Sequence, residues 1–166
     1  MLRNFFAVLC LMAAAYGNTP RPLADVPIPT PDGKTIRLAQ YKGKVMVVAL
    51  VSADCADCGK TIDLLTQIQK DYAPKGFQIV ASAVNPKDDV ATFVSKHHPN
   101  FPLGYLEDEQ TMKLFDFKRP DHPIVPILMF VDKKGTVRFQ YNGDNEAFSK
   151  KQETNIRTLV ESLLKE

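Results

Sequence analysis

The most constraining feature of this chain is the continuous apolar run Val45–Val51, which ends a few residues before a pair of cysteines. A run of this kind, rich in valine and free of polar residues, is typical of a strand buried on both faces of a sheet. The run breaks at Ser52–Asp54, and the next apolar residues then recur at helical spacing: Ile62, Leu65, Ile68 and Tyr72. The sequence therefore predicts a central strand that leads directly into an amphipathic helix.

Cys55 and Cys58 lie at this predicted junction, with Cys55 near the first turn of the helix. Unpaired backbone N–H groups and the positive end of the helix dipole favour a thiolate there. Two cysteines separated by two residues at such a corner are typical of a redox dithiol. A plain stabilising disulfide is the alternative, but closing so short a loop restricts the unfolded chain little.

Residues 1–17 are predicted to form a secretory signal peptide. Arg3 precedes the apolar run Phe5–Ala15, and Ala15-Tyr16-Gly17 is a small-x-small cleavage site. The run is shorter than the roughly 20 apolar residues that a membrane-spanning helix needs, and an uncleaved membrane tether is the alternative. Cys10 falls inside this segment, so the mature chain would keep an even pair of cysteines. We therefore expect an exported protein.

Length and composition favour one folded domain after the signal. The chain has 166 residues, 24% of them charged, with a formal net charge of +2. These values indicate neither disorder nor a nucleic-acid-binding protein. Residues 18–31 are expected to form an extended proline-rich spacer, and residues 32–166 to form the domain. The turn signal Asp32-Gly33 predicts a β-hairpin with flanks at Val26/Ile28 and Thr35/Ile36.

The remaining chain alternates predicted helices and strands. The helix after Cys58 is expected to end near Asp71, before Pro74 and Gly76. The strands and helices expected after it are Phe77–Val84 (strand), a helix capped by Asp88 or Asp89 and ending near His98, Leu103–Leu106 (strand), Asp108–Phe115 (helix), Ile127–Val131 and Thr136–Tyr141 (strands), and 147–164 (helix). Strand, helix and strand in this order predict parallel strands. The fold class is therefore α/β, with a central mixed sheet, helices on both faces and an N-terminal hairpin.

This order of elements resembles the thioredoxin fold, and it looks most like the exported thiol–disulfide oxidoreductases of the TlpA/ResA type. The resemblance covers the chain from about Leu23 to its end. It is carried by the Asp-Gly-Lys hairpin, Tyr-Lys-Gly-Lys before the first long strand, Cys55-Ala56-Asp57-Cys58, the strand ending in Asn85, and Val125-Pro126 followed by an apolar strand and a turn at Gly135.

The resemblance implies a role for each site residue. Cys55 would be the attacking thiolate, and Cys58 the buried resolving thiol. Pro126 would be a cis-proline that faces the pair, and Val125 would offer its backbone to an extended substrate segment. The implied partners are protein dithiol or disulfide substrates and a redox partner protein. A monomer in the bacterial periplasm, with no metal and no dissociable cofactor, would fit this class.

The sequence also departs from the family pattern around the cysteines. The family commonly has tryptophan where Asp54 stands and an uncharged residue where Asp57 stands, and the buried acid of cytoplasmic thioredoxins falls at Ala49. A helix N-terminus favours an anion by about 0.3–1 kcal/mol, whereas a carboxylate a few ångströms away disfavours it by roughly 1 kcal/mol. The two effects nearly cancel, so we expect a reducing or weakly oxidising pair.

Two other functions use a similar scaffold. A thiol-dependent peroxidase of the peroxiredoxin type needs Thr-x-x-Cys behind a proline, whereas this chain has Ser52 three residues before Cys55 and no proline before it. A copper-binding chaperone of the Sco type would use soft thiolates and a histidine, for which His122 is the candidate, but Sco proteins space their cysteines as Cys-x-x-x-Cys. Outside the site, we expect His97 to close its helix and Asn85 to end its strand.

Overall fold

The computed structural model describes residues 19–118 and 123–166. The predicted signal peptide, Cys10 and His122 lie outside the described residues. The strands are β1 (Arg21–Pro22), β2 (Ile28–Pro29), β3 (Thr35–Ile36), β4 (Val45–Val51), β5 (Phe77–Ala83), β6 (Leu103–Tyr105), β7 (Ile127–Val131) and β8 (Thr136–Tyr141). The α-helices are α1 (Ala56–Tyr72), α2 (Lys87–His97), α3 (Asp108–Phe115), α4 (Glu146–Ser149) and α5 (Gln152–Leu164), and short 3₁₀ helices occupy Leu38–Tyr41 and Ala73–Lys75.

Six strands form one mixed sheet in the order β1-β8-β7-β4-β5-β6, and β2 pairs with β3 in a separate hairpin. Strands β4, β5 and β6 are parallel, whereas β7, β8 and β1 add antiparallel pairs. The predicted mixed sheet and the N-terminal hairpin are confirmed. Because β4 is paired on both sides and covered on both faces, every residue of this strand is buried.

The two faces of the sheet carry separate apolar cores. On one face, alternate β4 side chains, from Val45 to Val51, pack against apolar residues of α1, α2, α4 and α5. On the other face, Met46, Val48 and Leu50 pack against the hairpin and α3. The period-2 alternation of a strand explains why one apolar run supplies both cores.

The described part of the proline-rich segment, residues 19–31, contributes a strand and buried side chains to the domain. Arg21 and Pro22 pair with β8, and Val26 and Ile28 are fully buried. The prolines restrict this segment to edge positions in short strands, but its apolar side chains still complete the second core.

Two helix predictions need correction. Pro86, and neither Asp88 nor Asp89, is the residue that precedes α2, and the two aspartates lie in its first turn. The predicted helix 147–164 is broken into α4 and α5. The Asn155 side chain donates a hydrogen bond to the carbonyl oxygen of Phe148 at 2.9 Å, and this bond satisfies a carbonyl group at the break.

One edge of the sheet brings together the chain segments on which function depends. Since β4, β5 and β6 are parallel, their carboxyl ends meet there, and the antiparallel β7 begins at the same edge. The segment with both cysteines follows β4, and Val125-Pro126 directly precedes β7. Distant parts of the sequence are thus placed side by side.

Candidate active site

Cys55 caps the first turn of α1 with its sulfur. The residue has extended backbone angles (φ −99°, ψ 113°), and its Sγ accepts a hydrogen bond from the backbone N–H of Cys58 at 3.2 Å. Its carbonyl oxygen accepts the N–H of Gly59 at 3.2 Å. Cys55 is half-buried, Cys58 is fully buried, and both are free thiols. The half-buried Cys55 therefore lies at the helix N-terminus, and the fully buried Cys58 follows it within the first turn.

The environment of Cys58 strongly disfavours its thiolate. The pKa of Cys58 is raised from 9.0 to about 12, mainly by burial and also by its hydrogen bond with Cys55. The backbone N–H of Ser52 donates to Cys58 Sγ at 3.4 Å and acts in the opposite direction. Ala49, which stands where cytoplasmic thioredoxins have a buried acid, is fully buried. Cys58 is accordingly a protonated thiol at neutral pH.

The Val125–Pro126 peptide bond is cis, as the resemblance predicted. Leu50 pairs with Ile127 at the start of β7, and continuing this register places Pro126 beside Val51. Val125 packs against the same apolar core as Cys55. The loop before β7 therefore lies next to the segment with both cysteines.

Asn85 has a role that the sequence did not reveal. Its side-chain oxygen accepts the backbone N–H of Ala53 at 2.7 Å, and its Nδ2 donates to Asp54 Oδ2 at 2.9 Å. The expectation was only that Asn85 ends its strand. Since Val84 N–H also donates to Val51 O at 3.1 Å, the ends of β4 and β5 are joined directly. Asn85 thus anchors the two residues that precede Cys55.

His97 does more than close its helix. It lies in the last turn of α2, and its Nδ1 is 2.8 Å from Asp63 Oδ1 on α1. A Cβ placed on Gly59 would lie 2.8 Å from the His97 ring. The ring therefore packs against the backbone of α1 one residue after Cys58. No signal in the sequence distinguishes this contact from an ordinary helix-end histidine.

Within residues 19–118 and 123–166, no cluster of three or more His, Cys, Asp or Glu side chains is placed to hold a metal ion. The copper-site candidate His122 lies outside those ranges. In the same two ranges, no helix has both the length and the apolar character required to cross a bilayer.

Comparison with known proteins places this geometry in a family. The family model described as AhpC/TSA matches residues 20–140. The chain belongs to the AhpC/TSA family. A thiol:disulfide interchange protein of the thioredoxin family from Chlorobium tepidum TLS has a similar structure, with a TM-score of 0.74 and 23% identity over 90% of this chain and 99% of that chain. This likeness shows that the AhpC/TSA chain has the thioredoxin fold.

Curated relatives of this AhpC/TSA chain carry two kinds of name. The thiol-disulfide oxidoreductase ResA of Bacillus thuringiensis is 25% identical over 114 residues, 68% of this chain and 63% of the relative. A probable phospholipid hydroperoxide glutathione peroxidase of Solanum lycopersicum is 26% identical over 134 residues, 81% of this chain and 66% of the relative. The chain thus spans about two thirds of the length of these relatives, and the resemblance to ResA-type proteins is confirmed.

Proposed function

We propose that this protein exchanges disulfides with protein substrates through Cys55 and Cys58. The observation that carries the proposal is the pairing of a half-buried cysteine at a helix N-terminus with a fully buried cysteine one turn further on. The Cys58 N–H donates to Cys55 Sγ at the N-terminal end of the helix, so the sulfur that would attack is held at a fixed position. The buried second thiol is close enough in sequence to compete for any bond that Cys55 forms.

The exchange has two balanced steps. The Cys55 thiolate attacks one sulfur of a substrate disulfide, a mixed disulfide forms, and the other substrate sulfur leaves as a thiolate. Cys58 then loses its proton, which the departing thiolate or solvent takes up, and attacks Cys55 Sγ. The second substrate sulfur leaves, so two electrons pass from the protein dithiol to the substrate. With an oxidised protein and a substrate dithiol, the same steps run in reverse.

The surroundings of Cys55 support a polypeptide as the substrate. Among the described residues, the exposed large hydrophobic side chains are Val84, 43% exposed, and Ile124, 54% exposed. Both lie in loops at the edge of the sheet that carries the cysteines. Val125 and Pro126 are the backbone along which we expect an extended segment to bind, and Ile124 and Val84 would cover its apolar side chains.

Trapping of mixed disulfides tests the proposal. Cys58→Ser should accumulate covalent complexes with substrate proteins, released by dithiothreitol, because the resolving thiol is missing. Cys55→Ser is the matched control and should trap none. If only Cys55→Ser traps partners, the two roles are reversed. If neither variant does, the exchange mechanism is wrong.

We also propose that the pair is reducing or weakly oxidising. Strong oxidants owe their potential to a heavily stabilised thiolate in the reduced form, whereas the residue directly before Cys55 is the acidic Asp54. Equilibration with glutathione buffers should give a potential below about −180 mV. A value near −120 mV, typical of a strong oxidant, would contradict this.

A thiol peroxidase is the second candidate, because glutathione peroxidases are among the relatives of this chain. In that reaction the Cys55 thiolate would attack a peroxide oxygen, forming a sulfenic acid and releasing the alcohol or water. Cys58 would then condense with the sulfenic acid to give the disulfide and water. Rapid hydroperoxide consumption by the reduced protein, abolished by Cys55→Ser, would favour this function over protein disulfide exchange.

Finally, we propose that the chain is exported, because its first 17 residues have the pattern of a secretory signal. A compartment in which disulfides persist would suit the proposed chemistry. Cell fractionation with N-terminal sequencing of the mature chain tests this. Retention in the cytoplasm with an intact N-terminus would contradict it.

A further inference from the structure

We propose that Asp54, held in place by Asn85, determines substrate specificity by selecting segments that carry lysine or arginine beside the reacting cysteine. This inference rests on the proposed exchange at Cys55 and goes beyond it by naming the chemistry of the partner. Among the acidic side chains near Cys55, Asp54 combines three properties: adjacency, a fixed position and an unneutralised charge.

Adjacency and fixation come from the local backbone. Asp54 is the residue directly before Cys55, and its side chain is exposed. Its Oδ2 accepts a hydrogen bond from Asn85 Nδ2 at 2.9 Å, while Asn85 Oδ1 holds the N–H of Ala53. The carboxylate is therefore pre-positioned at the rim of the site. A partner that pairs with it does not have to order the aspartate first, and that ordering is a cost of binding by flexible surface charges.

Asp54 differs from Asp57, the other acid beside the cysteines, in whether its negative charge is paired with a cation. Lys60 Nζ lies 2.9 Å from Asp57 Oδ1 in an exposed ion pair. Within the described parts of the chain, no lysine, arginine or histidine forms an ion pair with Asp54, and its neutral partner Asn85 leaves the charge in place. Asp57 provides a matched control, because it lies only two residues from Cys55 but is already paired with Lys60.

Other acids at this edge have a structural explanation. Asp88 and Asp89 lie in the first turn of α2, and Asp108 and Glu109 lie in the first turn of α3. Carboxylates at these positions stabilise their own helices through the dipole. Asp54 precedes the N-cap of α1 and lies outside the helix, so this explanation is weaker for it.

The surface around Cys55 indicates the form of the partner. Val84 and Ile124 expose apolar side chains at the same edge. An extended segment whose cysteine reaches Cys55 would place apolar residues over this pair and a neighbouring residue beside Asp54. A cationic neighbour would gain an ion pair there, whereas an anionic neighbour would be repelled.

Disulfide-linked peptide dimers test the proposal. Three peptides of one sequence carry Lys, Gln or Glu next to the cysteine, and their reduction by the wild-type dithiol is followed by stopped flow. Each rate is divided by the rate with dithiothreitol, which also attacks as a thiolate but carries no other charged group, so that the ratio corrects for the leaving-group thiol and for the charge of the attacking sulfur. Unit charges about 4 Å apart in water change a rate by about fivefold, so the Lys:Glu ratio should be at least about fivefold at low salt.

Two variants distinguish a local effect of the Asp54 carboxylate from the electrostatic field of the whole protein. Asp54→Asn should bring the Lys:Glu ratio close to one, whereas Asp57→Asn should keep most of it. Raising the ionic strength from about 0.01 M to about 1 M shortens the screening length from about 30 Å to about 3 Å and should remove the wild-type preference. A wild-type ratio near one, or equal losses in both variants, would overturn the proposal. Failure to reduce any of the peptides would instead overturn the exchange function, and the preference with it.

A third variant, Asn85→Ala, tests whether Asn85 holds the Asp54 carboxylate in position. Asn85→Ala keeps the charge of Asp54 but releases its carboxylate, so its Lys:Glu ratio should fall between those of the wild type and Asp54→Asn. If Asn85→Ala only disturbed the structure around Cys55, the reduction of all three peptides would slow equally and the Lys:Glu ratio would not change. An unchanged ratio would therefore overturn the positioning role of Asn85.

Discussion

Gly143 donates its backbone N–H to the carbonyl oxygen of Ile124 at 2.7 Å, and the two residues hold the loop before β7 against the end of β8. A Cβ on Gly143 would lie only 2.6 Å from the carbonyl oxygen of Val125. The backbone proposed to receive substrate is thus positioned by a close approach that only glycine allows.

Gly143→Ala should therefore displace the loop that carries Val125 and Pro126. We expect a loss of about 1–3 kcal/mol in the free energy of unfolding, with a larger fall in the exchange rate for a protein disulfide than for a small disulfide. Urea unfolding and stopped-flow exchange measure the two effects. Asp144→Ala, at the exposed next position, is the control. Wild-type rates in Gly143→Ala would show that the loop position does not matter for exchange.

The contact between Gly59 and His97 predicts a coupling between α1 and α2. Gly59→Ala alone gains about 1 kcal/mol of helix propensity, but its Cβ must push the His97 ring away from Asp63. When Gly59→Ala is combined with His97→Ala, the full gain in helix propensity should appear in the free energy of unfolding. A double-mutant cycle by urea unfolding should give a coupling of about 1 kcal/mol or more. Additive effects would mean that the ring moves aside at no cost.

The raised pKa of Cys58 makes stability depend on alkaline pH. The folded state holds this proton up to a pKa of about 12, whereas the exposed thiol loses it near 9.0. The stabilisation is complete below pH 9 and decreases as the pH rises from 9 towards 12. Under reducing conditions, the free energy of unfolding should fall between pH 9 and pH 10, and Cys58→Ser should flatten this slope. Tyr141, with its pKa raised by burial to about 12, adds its own loss only above pH 10. Equal slopes in the two proteins would contradict the assignment.

The N-terminal segment should be required for stability. A chain that starts at residue 32 loses the buried side chains of Val26 and Ile28, each worth about 1.5–3 kcal/mol. It also loses the hydrogen bond from Arg21 to the buried Gln140 side chain, 2.7 Å long. We expect it to be unfolded or several kcal/mol less stable than a chain that starts at Thr19. Equal urea midpoints would mean that residues 19–31 are only a spacer.

Much of the fold was predictable from local patterns. The bounds of α3 and β7, and the strand–cysteine–helix order around Cys55, agree with the structure. Periodicity, proline and glycine act over a few neighbouring residues, so their signals survive in one sequence. The same local signals failed where tertiary contacts outweighed them, as at the break between α4 and α5.

The sequence by itself determined that Cys55 and Cys58 lie between a buried strand and a helix, and that Val125-Pro126 precedes another strand. Only the tertiary structure decided what these residues touch. Asn85 reaches Asp54 and Gly143 approaches Val125 because strand order and register bring separate loops to one edge. An asparagine or a glycine after a strand looks the same in sequence whether it ends a strand or supports a site, because its partner is chosen by long-range pairing.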